Sequence, residues 1–248
     1  MLILLGGLFA VVARHGSRGA TGSVTVAPTP SLIAPTTGFG PPQLDMLGRR
    51  VDVPNNTVGQ PLPQYPSLQR TPAAPDWLTG APHGVRDPGG WQRVFGASVP
   101  FSTSDGPARV EDGLVVGYAH TPQGAALAAA QIYYRSVAHP SDRALYDRQM
   151  VLTESQKAEI DRDGSHLPQL WPEAVTRYLV ASDAFRIPSY STDFAVVELA
   201  TPANIVGART WRVIRLAVTW VDSDWRLTVP AAGSVAQTLT SLEGWTPW

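Results

Sequence analysis

Gly117–Ser136, GYAHTPQGAALAAAQIYYRS, is the stretch from which the rest of the chain is best read. A short β-like run, Leu114–Ala119, leads to His120 and then Thr121-Pro122. Thr is a good N-cap because its hydroxyl accepts a free backbone N–H. Pro at the first helical position gives up an N–H that would be unpaired anyway. Ala125–Ala130 is Ala and Leu only, and Ala has the best helix propensity. The pattern predicts a helix of about 17 residues, roughly 25 Å long. Its small side chains let a sheet approach closely, so it is expected to be the central helix of the core.

Downstream, His139-Pro140 ends this helix, because Pro cannot continue it. Ser141–Met150 reads as a second short helix. Thr153-Glu154-Ser155-Gln156 has the spacing of a capping box, with Gly164 past the end of the helix it opens. Pro172–Ala181 is another helical piece. The period then changes. Ala184–Ser189, Phe194–Thr201 and Ala208–Val221 are rich in Val, Ile, Thr and aromatics, as strands are. Asp222-Ser223-Asp224 is a tight turn, after which Trp225, Leu227 and Val229 alternate with Arg226 and Thr228. Such alternation marks a sheet with one buried face. Ser234–Leu242 is expected to be a last helical turn.

Helices in one block and strands in another predict an α+β domain, residues 91–248, with a curved antiparallel sheet wrapped on the central helix. The cystatin-like cone of the nuclear-transport-factor superfamily is built on this pattern.

Upstream, Trp91, Val94, Phe95, Val99 and Phe101 open the domain, and Ser102–Arg109 is a polar turn. Residues 14–90 read as a disordered Pro/Gly-rich linker, most plainly over Val24–Gly90. Fifteen of the 23 prolines lie between Pro28 and Pro107, so sustained helix or central strand is disfavoured there. Large apolar residues are few, too few to offset ordering entropy. One island, Leu44–Val53 (LDMLGRRVDV), has the makings of a segment that docks on the domain or on a partner.

Met1–Ala13 (MLILLGGLFAVVA) is uninterrupted apolar sequence. As a helix it spans about 20 Å, short of a ~30 Å hydrocarbon core. Three readings stand: the end of a membrane helix that starts upstream, a short signal anchor or signal peptide, or a buried soluble segment. The first is adopted, giving a single-pass protein of the cell membrane. Arg14 and Arg18 would hold their side in the cytoplasm by the positive-inside tendency. Charges upstream would reverse that, and the C-terminal domain is expected outside the cytoplasm.

Composition excludes some chemistry. The 248 residues contain no Cys, so disulfides and thiolate sites are absent. The net charge of −1 gives no bulk drive toward nucleic acid, and no basic patch interleaved with aromatics appears. There is no GxSxG, P-loop or GxGxxG signature in a usable context. His120, before the helix cap, reads as a corner residue bonded to backbone; a general base or pH switch is the sharper alternative. His139 and His166 have no partner at metal-ligand spacing. Asp142, Asp147, Glu159, Asp161 and Asp163 interleave with Arg143, Arg148 and Arg162, as on a solvated helix face with local ion pairs. No catalytic, cofactor-binding or metal-binding residue is predicted. Of Trp211, Trp220 and Trp225, two are expected in the core. The candidate pocket or interface residues are His120, Tyr133, Tyr134, Trp245 and Trp248; the last two would plug the mouth of the cone or anchor a partner.

Trp91, GASVPFSTSDGPARV (Gly96–Val110), GYAHTPQGAALAAAQI (Gly117–Ile132), DRQM (Asp147–Met150) and SLEGWTPW (Ser241–Trp248) carry a resemblance. Over Trp91–Trp248 the chain resembles an uncharacterised actinobacterial family borne on conjugative plasmids and integrative elements, with some members that look phage-borne. The resemblance implies an N-terminal membrane helix, a Pro-rich spacer and one globular domain, and a role in DNA-transfer machinery. The layout is similar to scaffold proteins of type IV secretion systems. The expectation is a non-enzymatic, membrane-tethered scaffold whose partners are other membrane proteins of the apparatus. A small-molecule-binding or enzymatic cone, with His120 and a carboxylate as an acid–base pair, is one alternative. A phage or surface structural protein is another.

Overall fold

The helix that Thr121-Pro122 announces is present at the expected place and length. In the computed structural model, which describes residues 36–163, 170–203, 207–229 and 237–248, helix α1 runs Pro122–Ala138, 17 residues. Thr121 caps it and His139-Pro140 closes it. Fourteen of its residues are buried, so it has no solvent face. A helix apolar all round must be enclosed, and two sheets enclose this one.

The first sheet has the order β1 (Phe39–Leu44), β2 (Arg50–Pro54), β3 (Trp91–Val94), β4 (Ala97–Pro100). Only its β2–β3 pair is parallel. The second sheet has seven strands: β7 (Met150–Val151), β8 (Ala184–Ser191), β9 (Phe194–Pro202), β10 (Trp211–Val221), β11 (Asp224–Thr228), β12 (Gln237–Leu239) and β13 (Thr246–Pro247). Its order is β13-β8-β9-β10-β11-β7, with β12 also on β10. A separate hairpin joins β5 (Arg109–Glu111) to β6 (Leu114–Val116). Helix α1 packs against β4 of the first sheet and against β8 through β11 of the second. The fold is therefore α+β, with the helix packed between the two sheets. Three shorter helices are described: α2 (Arg143–Gln149), α3 (Glu154–Asp163) and α4 (Pro172–Tyr178).

Several local signals act as written. Thr153 and Gln156 form the reciprocal capping box, Thr153 N to Gln156 Oε1 at 2.9 Å and Gln156 N to Thr153 Oγ1 at 3.3 Å. Asp222 and Ser223 both have positive φ (52° and 64°), the two-residue turn that matches strand twist. On β11, Trp225 and Leu227 enter the core while Arg226 and Thr228 face away. The outer edge of β8 beyond Phe185 carries Pro188 and a bulge between Arg186 and Ser189, which deter pairing with another chain.

Three expectations are corrected. Residues 36–90 are not a linker, and the globular unit starts well before Trp91: β2 lies beside β3, with Val51 wholly buried. The reason is that side chains, not apolar bulk, hold this segment. Gln92 Oε1 accepts from Gln60 N at 2.7 Å, and its Nε2 donates to Gln60 O (2.7 Å) and Gly89 O (2.9 Å). Gln123, on α1, donates to Trp77 O and Gly80 O. Gln64 and Gln69 donate to Ser102 O and Ser104 O. Such bonds satisfy backbone that Pro-rich sequence cannot pair in ladders. Second, a first sheet built from these upstream residues covers the face of α1 that a single curved sheet would leave open. Third, Gln237–Leu239 is strand β12, not a helical turn, because it pairs with Val213–Trp211 of β10.

The apolar run 1–13, and linker residues 14–35, lie outside the described residues. Among the described residues, no helix is long and apolar enough to cross a membrane.

Candidate functional site

The N-terminal end of α1 is built by Asp224. Its carboxylate accepts from Gly117 N (2.7 Å), Tyr118 N (3.1 Å) and Trp225 N (3.0 Å). Burial pushes this carboxyl above its ordinary value, and the three N–H groups oppose that shift. The Trp225 indole donates to Ala119 O at 3.0 Å. Together these bonds lead the chain from β6 to the cap and leave His120 exposed.

His120 stacks on Trp220 with ring centroids 4.0 Å apart and planes 6° apart. Trp225 meets it edge-on at 5.6 Å. Its Nε2 bonds to Thr192 O, and a carbonyl can only accept, so Nε2 carries the hydrogen. Tyr190 donates to His120 O at 3.3 Å, and Trp77 meets the Tyr190 ring edge-on at 5.8 Å. His120 is thus a corner residue between the β8–β9 and β10–β11 hairpins. Its neighbours are carbonyl oxygen and aromatic faces; among the described residues no carboxylate bonds its ring. The acid–base pair needed one. What the cluster does present is an aromatic corner, with His120 exposed and Trp220 half-buried beneath it.

Tyr133 and Tyr134 sit near the other end of α1, about 20 Å away along the helix. Tyr134 is fully buried; its hydroxyl accepts from Ser182 N at 2.7 Å. Tyr133 is half-buried, and burial pushes its hydroxyl up to about 12. Trp245 and Trp248 are both buried, one on each face of the sheet edge. Trp245 packs with Ala184, Ala200 and Val213 beneath the Arg186 guanidinium, 4.8 Å from the ring centroid. Trp248 packs on Phe185 at 4.4 Å and edge-on to Trp91 at 6.4 Å. Its indole donates to Ser182 Oγ at 2.9 Å, so Ser182 brings Tyr134 and Trp248 together. His120 is not part of that group. Of the three meander tryptophans, Trp225 is core, while Trp220 and Trp211 are half-buried.

A cleft of about 250 Å³ opens where Trp248 meets the first sheet. The Arg49 guanidinium lies 3.9 Å over the Trp91 ring and donates to Ser182 O (3.3 Å) and Asp183 Oδ1 (3.1 Å). Arg86 Nε donates to Trp248 O at 2.5 Å and Nη2 to Pro247 O at 3.4 Å. Arg50 reaches Asp52 at 2.7 Å, and Asp52 also accepts from Gly89 N at 2.7 Å. Asp87 completes the rim. Sequence reasoning missed this cleft because most of its lining lies in the supposed linker. The signal was there in Leu44–Val53, the island with the makings of a docking segment.

The acidic stretch is mostly the solvated face expected: Arg143 pairs with Asp147 (3.0 Å) and Asp161, and Arg148 with Asp112 (2.7 Å). Asp142 is the exception, buried against Arg135 with Nε at 2.8 Å. His139 stacks on Phe95 at 4.6 Å, and His166 lies outside the described residues. Among the described residues, no group of three or more His, Asp or Glu is placed to hold a metal ion.

Residues 52–247 match the model of a family described as a domain of unknown function, DUF8175. This covers most of the chain, which belongs to that family. No curated protein and no solved structure matches the chain.

Proposed function

We propose that this member of the family is a non-enzymatic, membrane-tethered scaffold or assembly component of a conjugation-type DNA-transfer apparatus, working through protein–protein contact. The observation that carries the reading is the exposed aromatic end of α1. His120, exposed and stacked on half-buried Trp220, offers a rigid flat ring surface of the kind that anchors interfaces. The apolar run Met1–Ala13 supplies the tether, a single pass with the domain outside the cytoplasm. The resemblance of Trp91–Trp248 to mobile-element proteins supplies the apparatus, and other membrane proteins of that apparatus are the partners. Helix α1 with the seven-stranded sheet is read as the cystatin-like unit, and the β1–β4 sheet as an addition to it. Direct nucleic-acid contact is not part of the reading, since the net charge is −1.

The test is a cross-linked pull-down of the tagged full-length protein from the membrane fraction of its native host, read by mass spectrometry. Recovery of a transfer ATPase or other membrane transfer proteins is expected. A Trp220→Ala protein that folds but loses them would locate the contact. Finding the wild-type protein soluble and alone would discard the reading.

A further inference from the structure

We propose that the cleft beside Trp91 and Trp248 binds a small zwitterion of the α-amino acid kind, a site independent of the aromatic end and of the scaffold reading. Its position is the first argument. It lies at the junction of the two sheets, where β2 and the Arg86–Asp87 turn face the β8–β13 edge, and ligand sites favour such junctions. Its size is the second. About 250 Å³ is smaller than a drug-sized pocket and equals roughly eight waters of liquid volume, which suits a ligand of a few heavy atoms.

Charge is the third argument and the one that selects the ligand. Three arginines and three aspartates line the cleft, so its side-chain charges sum to zero. A lone anion or a lone cation therefore gains little from the field of the whole site. The local groups are unequal, however. Arg49 is spent on Ser182, Asp183 and the Trp91 face, and Asp183 on Arg49, Arg209 and the Trp211 indole. Arg50 and Arg86 each keep Nη1 without a partner among the described residues, since their bonds run through Nε and Nη2. The Asp87 side chain, at the rim, has no hydrogen-bond or ion-pair partner among the described residues. Two free Nη1 donors, one from each guanidinium, match the two oxygens of a carboxylate. The free Asp87 carboxylate on the lining of the same cleft matches an ammonium. A molecule small enough for the cleft and carrying both groups meets all three.

The test is isothermal titration calorimetry on the full-length protein in detergent, with the standard amino acids, acetate and methylamine as probes. Saturable binding of at least one amino acid is expected, at least tenfold tighter than either acetate or methylamine. Asp87→Asn and Arg50→Gln are each expected to weaken it on the order of tenfold, one charged hydrogen bond apiece. Asp87→Asn should leave the melting temperature unchanged, because no side-chain bond is lost, so its effect is read on a folded protein. Three outcomes overturn the proposal: no amino acid binding at millimolar concentration, acetate binding as tightly as the best amino acid, or Asp87→Asn without effect on affinity.

Discussion

Thr121 Oγ1 donates to Asp105 Oδ1 at 2.6 Å while accepting from Gly124 N at 3.0 Å. One hydroxyl thus caps the central helix and satisfies a buried carboxylate at the positive end of its dipole. Ser104 Oγ holds the other oxygen at 2.5 Å. Thr121→Val removes the cap and strands Oδ1. The two losses together are expected to cost about 2–4 kcal/mol in a denaturant titration. A loss under about 1 kcal/mol would mean that water replaces the hydroxyl.

The same carboxylate sets a pH slope. Burial pushes Asp105 above its ordinary value, and the Ser104 and Thr121 hydroxyls recover only part of the shift. The folded state then binds more protons than the unfolded one between the two values. Stability is expected to fall as pH rises from the ordinary carboxylate range through the raised folded value. Asp224 acts with the same sign. Asp52 acts with the opposite one: burial opposes its ionisation, but Arg50 and the Gly89 N–H outweigh burial and lower it. Its contribution is lost only as pH falls through the lowered value. Asp105→Asn should lessen the fall of melting temperature as pH rises through that range, and an unchanged dependence would remove Asp105 from the account.

Gly124 in the first turn of α1 is a packing residue. A Cβ there would stand 2.0 Å from Ala119 O, the oxygen that also accepts the Trp225 indole. Gly124→Ala gains about 1 kcal/mol of helix propensity but must displace that backbone. A net loss of about 1–3 kcal/mol is expected, as for overpacked cores. The Trp fluorescence should also change as the indole bond breaks. A stabilised variant would show that the backbone can yield.

Gln92 ties the Pro-rich segment to β3 by three bonds from a wholly buried amide. Gln92→Ala leaves Gln60 N, Gln60 O and Gly89 O without that partner. It is expected to cost about 3 kcal/mol and to open residues 55–90 to limited proteolysis. In the wild-type protein this stretch should resist cleavage; rapid nicking there would restore the linker reading.

The features legible in the sequence are those that act locally. Thr121-Pro122, the Thr153–Gln156 box and the Asp222-Ser223 turn each decide their own backbone, and each is found as read. Alternation along β11 likewise names its own buried face. The Pro-rich segment misled because its order comes from residues far along the chain. Gln123 holding Gly80 is 43 residues away, and neither residue signals the other. The cleft was hidden for the same reason: Arg86 and Trp248 meet across 162 residues. Trp245 and Trp248 were ambiguous in sequence because a terminal tryptophan packs or protrudes according to an edge strand that only the fold provides.

Arg135 and Asp142 show how a charged pattern can belong inside. Both side chains are less than one-tenth exposed, at 6% and 9%, and Arg135 Nε reaches Asp142 at 2.8 Å. Asp142 also caps α2 through Leu145 N at 3.3 Å. Arg135 Nη1 is buried without a partner among the described residues, so the pair already holds one unsatisfied donor. Removing the carboxylate would leave a whole guanidinium in that state. Asp142→Ala is therefore expected to cost about 3–5 kcal/mol. Replacing both, Arg135→Met with Asp142→Asn, keeps the cap and removes the buried charges together. The double variant should be more stable than Asp142→Ala alone, because desolvation of an ion pair offsets much of its attraction. Chemical denaturation of Arg135→Met, Asp142→Asn and the double closes the cycle, with Asp142→Ala measured beside it. A double variant no more stable than Asp142→Ala would mean that the pair itself, not the avoidance of a lone charge, stabilises this end of α1.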